Sequence, residues 1–130
     1  MSDAMSTDAV NDPMHEVLRR WQAAFDSHQA DVMADLFTPD ALFQGFGPET
    51  LSGRDAVRGY YEAVPDYRRA HLGEVHGYRI GEHVAGGFAD VTFRDPTGWE
   101  APVHLSLVLQ HEGGGWRIRQ YHVSRIVADH

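Results

Sequence analysis

The sequence predicts an α+β domain in which N-terminal helices pack into a strongly curved antiparallel sheet, a conical α+β barrel. Three observations carry this. Apolar residues recur at helical spacing up to about residue 64, and the period changes to two from about Arg69 onward. Tight turns rich in glycine and proline then link the alternating segments into hairpins, and helices followed by hairpin-linked strands indicate segregated α+β layers.

The helices come first. Asp12-Pro13 supplies an N-cap carboxylate and a proline at the first helical position. Met14, Val17, Leu18, Trp21, Ala24 and Phe25 then form one apolar stripe that runs out near Ser27-His28. Asp31 is expected to cap a shorter segment burying Val32, Met33, Leu36 and Phe37, stopped by Thr38-Pro39-Asp40. Residues 41–46 resemble a short strand. Ser52, with Asp55 three residues on, predicts the start of a third helix with the stripe Val57, Tyr60, Tyr61 and Val64.

Four strands follow, at about 69–80, 84–94, 100–111 and 116–127, with turns at Asp95-Pro96-Thr97-Gly98 and Glu112-Gly113-Gly114-Gly115. Glycines at 73, 77, 81, 86 and 87 predict bulges and bends, hence the curvature. Residues 1–11 are polar and acidic, without the basic and apolar regions of a secretory signal, and are expected to be a disordered tail before a single domain at 12–127.

The last strand carries the functional question. Trp116, Ile118, Gln120, His122, Ser124 and Ile126 share one face if alternation is unbroken; Arg117, Arg119, Tyr121, Val123 and Arg125 share the other. The Gly113–Gly115 turn would set Leu109 opposite Ile118, Leu107 opposite Gln120 and Leu105 opposite His122, placing the polar triplet inside among leucines. Buried polar groups need partners, so the triplet would be a hydrogen-bonded network or a pocket lining. A single bulge would exchange the faces. The outer face, with His104, Ser106, Val108 and Gln110 beside Arg117, Arg119, Tyr121 and Val123, suits a homodimer interface.

Composition narrows the chemistry. With no Cys, thiolate nucleophiles, disulfides and Cys-based zinc sites are excluded. With no Lys among the 11 basic residues, Schiff-base chemistry and a phosphate-loop lysine are excluded too. The net charge of −8 argues against nucleic acid as a partner, and no apolar run is long enough to span a membrane, so a cytoplasmic protein is expected. Nine His are present, but without ligand spacing they predict no metal site, and no nucleotide-binding fingerprint or other cofactor motif occurs.

Trp21-x3-Phe25, Leu36-Phe37-x2-Asp40-Ala41, Gly53-Arg54-x2-Val57 and Gly115-Trp116-x-Ile118-x3-His122-x-Ser124 occur in an order that resembles the nuclear transport factor 2-like superfamily, and within it the SnoaL-like polyketide cyclase group. The resemblance covers about residues 13–126. It implies a conical barrel, usually dimeric, with an apolar pocket between helices and sheet, and brings to mind accessory proteins of enediyne and aromatic polyketide biosynthesis. Members include isomerases, dehydratases, epoxide hydrolases, cyclases and non-catalytic binders, so fold leaves function open. The acid/base Asp expected late in the cyclases has no counterpart here, where the last strand offers His122 and Ser124. Neither the Asp-Arg-Asp set of the epoxide hydrolases nor the tyrosine and paired aspartates of the ketosteroid isomerases is recognisable.

The residues themselves suggest a hydrophobic small-molecule site with cofactor-free acid/base chemistry if it is catalytic: cyclisation, isomerisation or dehydration. His122 is the candidate base, with Gln120 and Tyr60 as orienting or oxyanion groups. Trp21, Phe25, Phe43, Phe46, Tyr67 and Phe93 offer an aromatic wall, and Tyr61, His76, Tyr78, Leu105, Leu107 and Ser124 complete the candidate lining. Glu74 could polarise His76, although a position at the rim or outside suits Glu74 better. Each residue also has a plain reading as core packing or a satisfied polar group. Two rivals stand beside the enzyme: a carrier that shields a reactive intermediate, and a dimeric interaction module on the outer sheet face. A packed, dry interior would favour the last.

Overall fold

The computed structural model describes residues 12–127; the expected N-terminal tail at 1–11 lies outside the described residues. The elements are α1 (Pro13–Asp26), α2 (Ala30–Asp35), β1 (Phe37–Gln44), β2 (Leu51–Ser52), α3 (Arg54–Glu62), β3 (Arg69–Ile80), β4 (Val84–Arg94), β5 (Glu100–Glu112) and β6 (Gly115–Arg125). They form the expected α+β architecture: helices against one six-stranded sheet of order β2-β1-β6-β5-β4-β3. The sheet is mixed, where an antiparallel one was expected, because β1 runs parallel to β6.

Local signals place α1. The Asp12 carboxylate accepts from the His15 amide at 3.0 Å, pairing a donor that the first helical turn leaves free. Its stripe, Met14, Val17, Leu18, Trp21, Ala24 and Phe25, is buried against the sheet as predicted. The far end is tied to β3 from both sides: Gln22 Nε2 donates to the Ala70 carbonyl and the Ala70 amide donates to Asp26 Oδ1, each at 2.8 Å.

Three helix boundaries differ from expectation, the first being that α2 starts at Ala30 after Gln29, with Asp31 inside its first turn and not at its cap. Phe37 begins β1 and does not close α2, since Pro39 biases the chain towards extended backbone and the Ile118 amide takes the Leu36 carbonyl at 2.7 Å. Val32, expected in the core, is exposed. The third helix is capped by Gly53 at φ 93°, with Ser52 absorbed into β2, so no side chain caps it. Arg54 anchors that end instead, donating from Nε and Nη2 to the Phe37 carbonyl at 3.0 and 2.6 Å.

The decisive departure is in β6. Leu109 faces Ile118 as expected, but Val108 then faces Gln120, Leu107 faces Tyr121 and Leu105 faces Val123. Arg119 is the extra residue of a β-bulge. Beyond it the faces exchange: Tyr121 and Val123 are buried, while Gln120, His122 and Ser124 are exposed on the outer face. The expectation that the polar triplet lies inside is therefore corrected. Burying Tyr121 and Val123 against leucines avoids desolvating an amide, an imidazole and a hydroxyl. The bulge is matched on β1, where pairing jumps from Phe37 with Ile118 to Leu42 with Gln120, and Arg119 Nη1 donates to the Asp40 carbonyl of that excursion at 3.1 Å.

A second bulge reverses β3. Leu72 pairs with Val91 and Val75 with Ala89, so the extra residue falls at Gly73-Glu74. Ala70, Leu72 and Val75 face the helices, whereas Glu74, His76 and Tyr78 are exposed on the outer side. Lining roles expected for His76 and Tyr78 are thereby displaced from the interior.

Close backbone approach explains one glycine. A Cβ on Gly87 would overlap the His76 carbonyl oxygen and stand 2.9 Å from Gly77 Cα, and its φ of 154° disfavours other residues. Gly59, by contrast, is exposed on α3 with open space around it. Gly87→Ala should therefore destabilise the fold by more than about 2 kcal/mol. Gly59→Ala should stabilise it by about 0.5–1 kcal/mol. Urea unfolding midpoints of the two variants should move in opposite directions.

Candidate functional site

With Tyr121 and Val123 turned inward, the end of β6 meets the helices at a small apolar pocket. α1 contributes Phe25, α3 contributes Tyr60 and Tyr61, and Val64 and Arg68 follow on the connection to β3. Phe93 comes from β4 and Phe46 from the segment after β1. The cavity measures about 30 Å³. That is room for a water or two and far below the ~150 Å³ of an engineered cavity that holds benzene. Phe46, 37% exposed, stands at its mouth with its ring edge-on to Phe93 at 5.6 Å.

The floor is a chain of hydroxyls among aromatic rings. Trp21 Nε1 donates to Tyr61 Oη at 3.0 Å, so the buried indole is satisfied. Tyr121 is the second side chain hydrogen-bonded to the Tyr61 hydroxyl. Tyr60 Oη accepts from the Phe46 amide at 3.1 Å, fixing the mouth segment to α3. Phe43 stacks flat on Tyr121 with centroids 4.5 Å apart and planes 5° from parallel. The Tyr61 and Tyr121 hydroxyls thus lie together beneath the pocket, each of a type that can donate a proton.

The lining therefore presents donors without a base. No carboxylate or imidazole is among its residues. Burial pushes the Tyr61 hydroxyl pKa well above the ordinary tyrosine value, opposed by hydrogen bonds from Trp21 and Tyr121. Burial does the same to Tyr121, reinforced by the neighbouring Tyr61. Both remain protonated at neutral pH and can donate to a carbonyl or a developing oxyanion.

The expected site residues divide. Phe25, Phe46, Tyr60, Tyr61 and Phe93 meet at the pocket, while Trp21 supports it from behind. Leu105 and Leu107 are buried core and line no part of it, and Tyr67 is exposed. His122 and Gln120 share a shallow groove with Leu42, Phe43, Gln44, Thr50 and Tyr121. His122 and Gln120 thus meet each other, but apart from Tyr60. Ser124, His76 and Tyr78 are likewise exposed, with Glu74 Oε2 3.5 Å from His76 Nε2. Sequence reasoning missed Tyr121, Val123, Val64 and Arg68. The available signal for the first two was Pro39 in the neighbouring strand, which marks a break in regular pairing. Among the described residues no group of three or more His, Asp or Glu is placed to hold a metal ion, and no helix is long and apolar enough to cross a membrane.

A pH dependence follows from the buried hydroxyls. An unfolded tyrosine ionises near pH 10, whereas Tyr61 and Tyr121 keep their protons in the folded chain beyond that pH. Their contribution is complete below about pH 10 and falls above it by about 1.4 kcal/mol per pH unit for each group. Denaturant unfolding at pH 9, 10 and 11 should show this decline. Tyr61→Phe should shrink the decline while lowering stability at neutral pH by about 1–3 kcal/mol, because the buried Trp21 donor loses its acceptor.

Comparison with known proteins agrees with this architecture. No curated protein matches the sequence. An NTF2-like protein of cystatin-like fold from Novosphingobium aromaticivorans superposes with a TM-score of 0.81 at 16% identity, covering 98% of this chain and 89% of the other. A protein from the same organism, provisionally named a scytalone dehydratase, gives 0.80 at 14% identity over the same shares, 98% and 89%. A protein of unknown function from Mycobacterium tuberculosis gives 0.77 at 20% identity, covering 88% of this chain and 74% of the other. These likenesses are evidence of fold. Residues 14–129 match the SnoaL-like domain, and the chain belongs to that family.

Proposed function

We propose that this chain binds a small, flat, largely apolar molecule of polyketide type at the pocket between α1, α3 and the end of β6. The observation that carries the reading is the hydroxyl chain beneath an aromatic mouth. Tyr61 and Tyr121 offer buried hydroxyl donors, surrounded by Phe25, Phe46 and Phe93. A ligand carbonyl would accept from them while its rings cover the phenylalanines. With a cavity of only about 30 Å³, the ligand inserts one edge and lays its body against Phe46 at the mouth.

The missing base favours a binder or carrier over an acid/base catalyst. Proton abstraction needs a group within hydrogen-bond reach of the substrate, and the lining supplies none. His122, the sequence candidate, lies on the outer face of the sheet. An edge-filling change such as Val64→Phe should abolish saturable binding of a flat aromatic ketone such as 2-acetylnaphthalene, read by tryptophan fluorescence. His122→Ala should leave that binding within about twofold of the unmodified chain. Equal loss in both variants would refute the assignment.

A second reading concerns the outer face. Tyr78, Val108, Gln120 and Leu42 occupy one cross-strand row, and His76, Phe88, Ser106 and His122 the next. Tyr78 is 54% exposed and Phe88 60%, large apolar side chains on a face without a covering layer among the described residues. Such a surface supports a homodimer, now with Gln120, His122 and Ser124 at the contact where Tyr121 and Val123 were expected. Sedimentation should give about twice the 14.6 kDa chain mass, and Phe88→Arg should return the protein to a single chain.

A further inference from the structure

We propose that Arg68 makes the pocket selective for a planar carboxylic acid, its guanidinium pairing with the ligand's carboxylate while the ligand body lies against Phe46 and Phe93. The inference rests on the pocket being a ligand site and adds the chemical class of what enters it. Arg68 lines the pocket just before β3, and its Nε is buried without a hydrogen-bond partner, alone in this respect among the described side chains. Leaving such a donor unpaired is costly, and costlier for a charged group.

The rest of the side chain is held ready. Its guanidinium carbon stands 4.2 Å from the Trp99 ring centroid, over the ring in a cation–π contact. Nε–H and the adjacent terminal N–H form one edge of a guanidinium, the edge that matches two carboxylate oxygens. No described carboxylate lies within ion-pair distance of it. The neighbouring Asp95 feels the Arg68 charge, but without ion-pair contact, and its Oδ1 is taken by the Thr97 hydroxyl and by the Thr97 and Trp99 amides, the latter at 2.8 and 3.3 Å. A second guanidinium, Arg125, sits 5.3 Å over the ring of Phe46 and likewise lacks a carboxylate partner among the described residues. In a chain of net charge −8, two cations without a carboxylate in ion-pair contact among the described residues flank one small apolar opening. A neutral ligand or a water would satisfy the Nε proton but leave that charge unmatched; a carboxylate answers both.

The test compares trans-cinnamate with its neutral isostere trans-cinnamamide, titrated into the full chain at pH 7.5 and low salt, with NMR following Val64 and Val123. Cinnamate should bind about tenfold more tightly or better, as expected for a charge-assisted pair. Arg68→Gln should erase that preference, bringing the ratio of the two affinities to about one. Arg68→Lys, which keeps the charge and loses the two-pronged edge, should fall between them. Equal affinity for both compounds, or an unchanged preference in Arg68→Gln, overturns the role of Arg68 and leaves the pocket standing. If neither compound perturbs Val64 and Val123 saturably, the pocket reading falls and this inference with it.

Discussion

The extra residue in β6 governs everything that follows in this fold. Arg119 is squeezed out of the pairing between β5 and β6, and it is held there by the Asp40 carbonyl on the opposite strand neighbour. Because side chains alternate with period two, one inserted residue sends every later side chain to the other face. Tyr121 and Val123 enter the core and His122 leaves it. The energetic reason is plain: two apolar side chains gain burial, and three polar ones keep their water.

That exchange also determines the chemistry of the interior. Tyr121 lies flat on Phe43 and shares a hydrogen bond with Tyr61, which in turn satisfies the Trp21 indole. The enclosed polar groups are therefore hydroxyls that stay protonated, and the imidazole that might have accepted a proton is outside. An interior of this kind can orient and polarise a ligand carbonyl, but has no group of its own to take a proton from carbon. The same strand thus separates two surfaces, an aromatic pocket with donors and an outer sheet face carrying Tyr78, Phe88 and the histidines.

The two faces of the sheet differed in how readable they were. The stripe of α1 and its Asp12 cap were legible because both depend on near neighbours in sequence. The β4–β5 and β5–β6 turns were legible for the same reason, each requiring glycine where φ is positive, at Gly98 and Gly113. Leu105, Leu107 and Leu109 were recognisable as the inner row of β5, since β5 carries no bulge against β4. Phe25, Tyr60, Tyr61 and Phe93 could be named as aromatic wall residues from helix and strand period alone. Arg68 could not, because its significance depends on Trp99 thirty-one positions later and on having no carboxylate in ion-pair contact among the described residues.

What the sequence determined by itself was the order of the main elements, the α+β class, the core stripe of α1 and the absence of thiol and lysine chemistry. These follow from local propensity, periodicity and the residue types present. What only the tertiary structure decided was which side of β3 and β6 looks inward. Pairing register is a contact between distant segments, and a bulge costs little local energy, so its position is set where neighbouring strands and the core compete for the same side chains. At Arg119 that competition put Tyr121 inside and left His122 outside.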